Sequence, residues 1–99
     1  MTIIYVQDAL NSIIHDSVTF KGARVLDVGC GDGEDTLSYA ADTKETIGID
    51  PDTELIENAR QDTPESLRYK VKFITTTIED FVSPNPSHQF DIAYFGWSL

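Results

Sequence analysis

The spacing of apolar side chains changes along the chain, and each spacing predicts one kind of element. Apolar residues at three- and four-residue intervals over residues 3–18 predict an N-terminal helix. The same spacing predicts a helix over residues 32–42, with acidic side chains in its first turn. A further helix begins at Asp52 or Thr53, either of which can cap it, and ends before Pro64.

Four short runs of mostly apolar residues predict strands, because they lack helical spacing and end at glycine, proline or polar residues. Strands and helices alternate, which predicts an α/β fold: a doubly wound parallel sheet with helices on both faces. We expect the strand order 3-2-1-4, counted along the chain. The third strand carries two lysines, which suit an edge position. The predicted strands are residues 24–28, 45–50, 69–75 and 90–95.

The composition is that of one globular domain. The chain has 99 residues, 40% hydrophobic and 24% charged, which is too short for two independent cores. Residues 1–99 are expected to form one domain, with a helix in residues 1–19. No apolar run approaches the roughly 20 residues of a membrane span, and no signal core is evident, so the expected location is cytoplasmic. Cys30 is the only cysteine, and with His15 and His88 it makes no credible metal site.

The charge balance argues against nucleic acid as a partner. Seventeen acidic and seven basic side chains give a formal net charge of −10, whereas binding of a phosphate backbone needs clustered lysine and arginine. The largest basic cluster, Arg68, Lys70 and Lys72, is small. The acidic excess itself is typical of a soluble protein.

The candidate chemistry lies where the first strand meets the next helix. Residues 27–33 read DVGCGDG, and alternate glycines let a backbone turn sharply and approach a ligand closely. Asp50 ends the second strand about 20 residues further on, where a carboxylate can accept both hydroxyls of a ribose. A pyrophosphate would face Asp32, Glu34 and Asp35, and Glu34 replaces the third glycine of a dinucleotide fingerprint. The pattern favours a ribosyl ligand that has a positive centre and lacks phosphate.

Four segments carry a family resemblance. The first has an acid followed by three alternating glycines, with Thr36 after it, and the second contains Asp50. Together they resemble the first four motifs of the class I S-adenosylmethionine-dependent methyltransferases, which have a Rossmann-like fold. The resemblance implies that residues 20–99 are the half of such an enzyme that binds S-adenosylmethionine (SAM). The segments are residues 25–33 (VLDVGCGDG), 48–51 (GIDP), 78–81 (IEDF) and 90–96 (FDIAYFG).

The resemblance also implies a role for individual residues. Asp27 would lie near the ammonium group of the methionine, and Asp50 would bind the ribose hydroxyls. The glycines would pass beneath the methionine and ribose, Pro51 would flank the adenine, and the backbone N–H of Ile78 would donate to the ring. The implied cofactor-binding residues are Asp27, Gly29, Cys30, Gly31, Gly33, Asp50, Pro51, Ile78, Glu79 and Gly96.

Two positions depart from common family patterns. Thr77 stands where the family often has the aspartate that binds the adenine amino group, and Glu79 and Asp80 are the alternatives for that role. Residues 96–99 (GWSL) lack the Pro-Pro-aromatic motif of members that methylate exocyclic amines. The resemblance therefore implies a small-molecule acceptor. Methyl transfer from a sulfonium needs alignment and desolvation more than a protein nucleophile, so no catalytic base is named.

The remaining notable side chains favour packing roles. Cys30 is interpreted as a small buried residue rather than a nucleophile. Tyr94, Phe95 and Trp97 could shape an acceptor pocket, yet aromatic residues in a buried strand are more often part of the core. Tyr39 is likewise expected to pack.

Two other functions remain open. A nicotinamide-dependent oxidoreductase would bind NAD at the same loop. The second open function is a non-catalytic SAM-binding fragment or interaction module, because the sequence continues only four residues past the fourth strand. That strand, residues 90–95, lacks the charges, prolines or bulges that protect an edge, so the chain is interpreted as C-terminally truncated. We therefore expect a second copy or a partner chain to cover this edge.

Overall fold

The molecule is built on a parallel β-sheet whose strands alternate with helices. The computed structural model describes residues 2–5, 20–84, 86–87 and 89–96. The elements in that part of the chain are β1 (Thr2–Tyr5), β2 (Arg24–Val28), α1 (Glu34–Ala40), β3 (Glu45–Asp50), α2 (Thr53–Asp62), a 3₁₀ turn (Glu65–Leu67), β4 (Val71–Thr75) and β5 (Ile92–Phe95).

The strand order is β1-β5-β2-β3-β4, and every pair is parallel. The four strands predicted from the sequence correspond to β2 through β5, and their predicted order is confirmed. Two boundaries differ. Tyr69 is 79% exposed and precedes β4, because the Lys70 N–H closes a turn onto Leu67 O (3.1 Å). Phe90 likewise precedes β5, which begins at Ile92.

The start of the chain forms a strand, so the helix predicted to begin at residue 3 is wrong over residues 3–5. Thr2–Tyr5 pairs with β5, with Thr2 opposite Ile92 and Tyr5 opposite Phe95. Two physical causes favour the strand: β-branched residues dominate this segment, and pairing satisfies the backbone groups along β5. The rest of the predicted helix lies outside the described residues.

This pairing also changes the expectation for the edge at β5. β1 of the same chain covers it, and β4 forms one edge of the sheet while β1 forms the other. The expectation that a second copy or a partner chain covers the β5 edge is therefore wrong, because that edge already has a partner.

The two described helices lie close to their predicted ranges, although α1 ends at Ala40, two residues before the predicted end. Asp52 caps α2 by accepting the Leu55 N–H on Oδ1 (3.2 Å), and Thr63 follows the last turn before Pro64. α1 begins at Glu34 rather than at residue 32, because the preceding glycines adopt left-handed backbone conformations that no α-helix uses.

Both described helices pack on the same face of the sheet. Ile56 and Ala59 of α2 contact Val71 and Phe73, and Tyr39 of α1 joins a neighbouring cluster. The expectation of helices on both faces is thus met on one face within the described residues. On the other face, aromatic side chains pack against apolar residues of β2 and β3. The aromatic residues are Phe81, Phe90 and Phe95, and the strand residues are Leu26, Val28, Ile47 and Ile49.

Candidate functional site

The glycine-rich segment after β2 is a tight loop at the carboxyl edge of the sheet. Gly29, Gly31 and Gly33 have φ values of 74°, 58° and 80°, a region that side chains with a Cβ rarely adopt. The N–H groups of Gly29 and Cys30 donate to Ile49 O (2.9 and 3.0 Å), which ties the loop to the end of β3. The loop is thereby held open toward the crevice where parallel sheets bind ligands.

Asp50 joins this loop to the next helix. Its side chain is 3% exposed, and Oδ2 accepts the Gly31 N–H (3.0 Å) while Oδ1 accepts the Asp52 N–H (2.9 Å). The spacing of about 20 residues thus brings the acid and the glycine loop into contact. A carboxylate has about four acceptor positions, and these two hydrogen bonds occupy two of them.

Asp27 lies beneath the loop and is 1% exposed. Its Oδ2 accepts hydrogen bonds from Thr36 Oγ1 and from Tyr39 OH, both at 2.7 Å. Burial raises the pKa of Asp27 from 3.8 to about 7, although the two hydrogen bonds oppose the rise and nearby Asp35 adds to it. The carboxyl group therefore titrates near neutral pH.

The sequence prediction does not include the two hydroxyls that donate to Asp27. Thr36 was noted only as a motif residue, and Tyr39 only as a packing residue. They lie three residues apart on α1, a spacing that places both on one side of a helix. That spacing, directly after an acid-bearing strand, is the signal that could have revealed the pair. Burial raises the pKa of Tyr39 well above its ordinary value of 10.0, so the phenol remains a donor.

Tyr94 belongs both to the core and to the site. It is fully buried in β5, as predicted, and its ring packs at 5.4 Å from that of Tyr39. Its hydroxyl donates to Asp35 Oδ2 (2.5 Å), and burial raises the pKa of the phenol. The sequence predicts Asp35 as an acid at a helix start that disfavours a pyrophosphate, and this bond fixes it at the cavity wall.

Two cavities meet at Gly29. We call the larger one, about 500 Å³, the loop cavity; four carboxyl side chains line it, and none of its described lining residues is basic. We call the smaller one, about 220 Å³, the Pro51 cavity. The loop cavity is lined by Asp27, Gly29, Cys30, Gly31, Asp32, Glu34, Asp35, Ser38, Tyr94 and Gly96. The Pro51 cavity is lined by Val28, Gly29, Ile49, Pro51, Thr76, Thr77, Ile78 and Glu79.

Eight of the ten predicted site residues line these cavities. The other two, Gly33 and Asp50, lie behind the loop and support it. A Cβ on Gly33 would approach Phe73 Cζ to 2.9 Å, so this glycine packs against the core. At Gly96 a Cβ would lie 3.1 Å from Gly29 O and 3.9 Å from Asp27 Oδ1. Gly96 and Asp27 both line the loop cavity, and the absence of a side chain at Gly96 leaves the space beside Oδ1 free.

The surroundings of Cys30 support its interpretation as a packing residue. Its thiol contacts Gly31 O at 3.7 Å, and burial, followed by the charges of Asp27 and Asp50, raises the pKa of the thiol. A protonated thiol is a poor nucleophile. His15 and His88, considered with Cys30 as metal ligands, and Trp97, considered for an acceptor pocket, lie outside the described residues.

The described residues contain neither a metal-binding cluster nor a helix that could span a membrane. No group of His, Cys, Asp and Glu there has an arrangement that could hold a metal ion. No helix in the described segments is both long enough and apolar enough to cross a membrane.

The fold and the site together define a Rossmann-like α/β domain, because a glycine loop and a strand-ending acid meet at the carboxyl edge of a parallel sheet, where such folds bind ligands. A family model described as a methyltransferase domain matches residues 25–99. The chain belongs to the class I SAM-dependent methyltransferases, a family whose cofactor is SAM.

Curated relatives carry the same family name. The chain is 37% identical over 79 residues to the probable SAM-dependent methyltransferase CRG1 of Saccharomyces cerevisiae, covering 76% of this chain and 27% of that protein. It is 35% identical over 83 residues to a ubiquinone biosynthesis O-methyltransferase of Vibrio cholerae, covering 84% and 33%. The chain therefore spans about a third or less of the length of these relatives.

Solved structures share the fold. A SAM-dependent methyltransferase from Thiobacillus denitrificans, in complex with S-adenosylhomocysteine, has a TM-score of 0.62 and 31% identity, and the match covers 87% of this chain and 33% of that one. The YcgJ protein of Bacillus subtilis has a TM-score of 0.71 and 29% identity, with 90% and 37% covered.

Proposed function

We propose that this chain binds SAM in the two cavities and forms the cofactor-binding half of a methyltransferase that acts on a small-molecule acceptor. The observation that carries the proposal is the loop cavity: it combines a glycine loop, a buried carboxyl and three further acidic side chains. Such a wall attracts a ligand with a positive centre and disfavours a phosphate-bearing one.

The larger cavity fits the methionine end of the cofactor. Asp27 lines the cavity, and its Oδ2 is held by Thr36 and Tyr39, so the carboxyl cannot rotate freely. It would pair with the ammonium group. The backbone of Gly29 and Gly31 would lie against the methionine and ribose, with Asp50 accepting from the ribose hydroxyls.

The smaller cavity fits the adenine. Pro51 supplies an apolar wall, and Ile78 supplies a backbone N–H for a ring nitrogen. Thr77 and Glu79 also line this cavity, whereas Asp80 does not, which supports Glu79 as the acid that would accept from the adenine amino group.

The chain's own contribution to methyl transfer would be binding and orientation. SAM, when bound, supplies a methyl group that leaves its sulfur as the acceptor's lone pair bonds to it. The glycine loop and Asp50 would fix the nucleoside, and Asp27 would fix the methionine end. Because the displacement depends on alignment in a site that excludes water, it needs no protein nucleophile.

The acceptor is proposed only as a class. The relatives' names include a ubiquinone biosynthesis O-methyltransferase and a thiocyanate methyltransferase, which differ in their acceptors. We propose a small molecule and a cytoplasmic location, which the single free cysteine supports.

A titration calorimetry experiment on the 99-residue chain tests the proposal against the oxidoreductase alternative. S-adenosylhomocysteine should bind and NADH should not, because the pyrophosphate of NADH would face Asp32, Glu34 and Asp35. Binding of NADH in preference to S-adenosylhomocysteine would contradict the proposal.

A second candidate function is SAM binding without catalysis. The observation that favours it is the coverage, since the chain matches only 27% and 33% of the two relatives. Methyl transfer by the purified chain to any small-molecule acceptor would eliminate this candidate.

A further inference from the structure

Three of the seven basic side chains line one groove on an edge of the sheet. β4 is the last strand in the sheet order, and the groove follows it. Its volume is about 410 Å³. The groove lies apart from the cofactor site, since it shares no residue with the loop cavity or the Pro51 cavity. We call it the basic groove, lined by Arg60, Thr63, Arg68, Val71, Lys72, Phe73 and Ile74.

Two of the three cationic groups of the groove are held by backbone carbonyls, and Arg60 also pairs with Glu57 of its own helix (Nη1 to Oε1, 2.8 Å). Arg60 Nε donates to Phe73 O (3.0 Å), and Arg68 Nε donates to Thr63 O (3.2 Å). Anchoring at Nε fixes the planar guanidinium before any ligand binds, so less side-chain entropy is lost on binding. Lys70 is not part of the groove, because its Nζ donates to Ala41 O and Thr43 O (2.7 and 2.8 Å).

The backbone of β4 presents hydrogen-bonding groups to the groove. Lys70 O accepts from Thr46 N (2.9 Å), and Thr76 N donates to Asp50 O (3.1 Å), so these two residues direct their backbone toward β3. The side to which the backbone N–H and C=O groups point alternates from residue to residue along a strand. The odd-numbered residues between Lys70 and Thr76 therefore direct these groups away from β3. These residues are Val71, Phe73 and Thr75.

One contact confirms this direction and limits what can bind. Arg60 Nε reaches Phe73 O from outside the sheet, so that carbonyl is already used. The N–H groups of Val71, Phe73 and Thr75 have no acceptor among the described residues. The edge therefore offers three outward N–H groups and the two outward carbonyls of Val71 and Thr75 beside three basic side chains.

We propose that the basic groove binds an extended acidic peptide of a partner protein, which adds to the sheet beside β4. Carbonyls of the incoming strand would accept from the outward N–H groups, and its carboxylates would pair with Arg60, Arg68 and Lys72. Charge complementarity selects this occupant. Pairing of β4 with β4 of a second copy would bring like cations together, and a nucleic acid has no peptide backbone with which to extend the sheet.

Amide hydrogen exchange of the 99-residue chain tests the proposal. The probe is a capped peptide that alternates Glu with Val, and the control peptide alternates Lys with Val. The Glu peptide should slow exchange at Val71, Phe73 and Thr75 and leave Lys72 and Ile74 unchanged, because those two already face β3. Equal effects on all five amides, or no slowing at the three outward ones, would overturn the proposal.

Charge reversal gives a second measurement. Lys72→Glu should weaken binding of the Glu peptide by about three- to tenfold, since an attractive exposed pair becomes a repulsive one. Lys21→Glu is the matched control, because Lys21 is exposed in the turn before β2 and makes the same charge change. Equal weakening by both variants, or binding of the Lys peptide or of a single-stranded RNA in place of the Glu peptide, would also overturn the proposal.

Discussion

Asp27 combines deep burial with a place in the wall of the cavity that we assign to the cofactor. Burial disfavours its charged form, whereas the hydrogen bonds from Thr36 and Tyr39 favour it, and the balance raises the pKa to about 7. A cationic ligand group beside Oδ1 would stabilise the carboxylate. Asp27 thus destabilises the ligand-free protein, and we expect a bound ligand to stabilise its carboxylate more than that of any other site residue.

Replacement of this acid should therefore stabilise the ligand-free protein in a pH-dependent way. Between its ordinary pKa of 3.8 and about 7, the folded state holds a proton on Asp27 that the unfolded state has released. The contribution of Asp27 to the free energy of unfolding thus falls as pH rises through this window. Asp27→Asn removes the fall, so its advantage over the original protein should grow from pH 4 to pH 7, by a few kcal/mol at most because one pKa unit is about 1.4 kcal/mol. Urea unfolding at both pH values measures the difference.

Tyr39→Phe is the control for that effect. It keeps the ring stacked on Phe20 (4.2 Å between centroids) but removes the hydroxyl that donates to Asp27. The pKa of Asp27 should rise further, and the loss of stability should extend to higher pH. A difference between Asp27→Asn and the original protein that is the same at pH 4 and pH 7 would show that Asp27 does not titrate in this range.

A glycine can be required for its backbone conformation or for the space that a Cβ would fill. Gly33, in the loop between β2 and α1, is required for both reasons, and Gly22, in the turn before β2, allows a comparison. Gly33 and Gly22 have similar φ values of 80° and 70°. A Cβ on Gly33 would meet Phe73 Cζ at 2.9 Å and Ala59 Cβ at 3.0 Å, whereas a Cβ on Gly22 would meet nothing within 4 Å. The two positions therefore separate backbone strain from crowding.

Substitution at these two glycines should give different losses of stability. Gly22→Ala should lower the free energy of unfolding by about 1 kcal/mol, the cost of a left-handed residue with a Cβ. Gly33→Ala should lower it by about 2–4 kcal/mol, because crowding in a packed region adds to that cost. Chemical denaturation of both variants measures this, and equal losses would show that Gly33 is required only for its conformation.

The N-terminal strand shows where sequence periodicity is weakest. Residues 3–18 carry a helical spacing of apolar residues, yet Thr2–Tyr5 is a strand. The cause is not local: the free backbone of β5 offers hydrogen bonds that the spacing along one segment cannot reveal. α1 and β4 each begin two residues later than predicted, for local reasons. Left-handed glycines delay the start of α1, and a turn at Lys70 delays the start of β4.

For the molecule as a whole, the order of β2 through β5 could be predicted because alternating strands and helices with right-handed connections leave few arrangements. The contact between the glycine loop and Asp50 was predictable for the same reason. The hydrogen bonds that hold Asp27, the link from Tyr94 to Asp35 and the basic groove were not. Each depends on side chains brought together from elements far apart in sequence.

Calorimetric titration of Asp50→Ala with S-adenosylhomocysteine tests whether the glycine loop and its acid form the nucleoside site. The variant removes a buried carboxylate that supports Gly31 and is expected to accept from the ribose. Affinity should fall ten- to a hundredfold, or about 1.4–2.8 kcal/mol, in a variant whose circular dichroism shows that it is folded. Asp42→Ala, the same charge change at an exposed acid, should alter affinity by about twofold or less. Unchanged affinity in Asp50→Ala would contradict the proposed site.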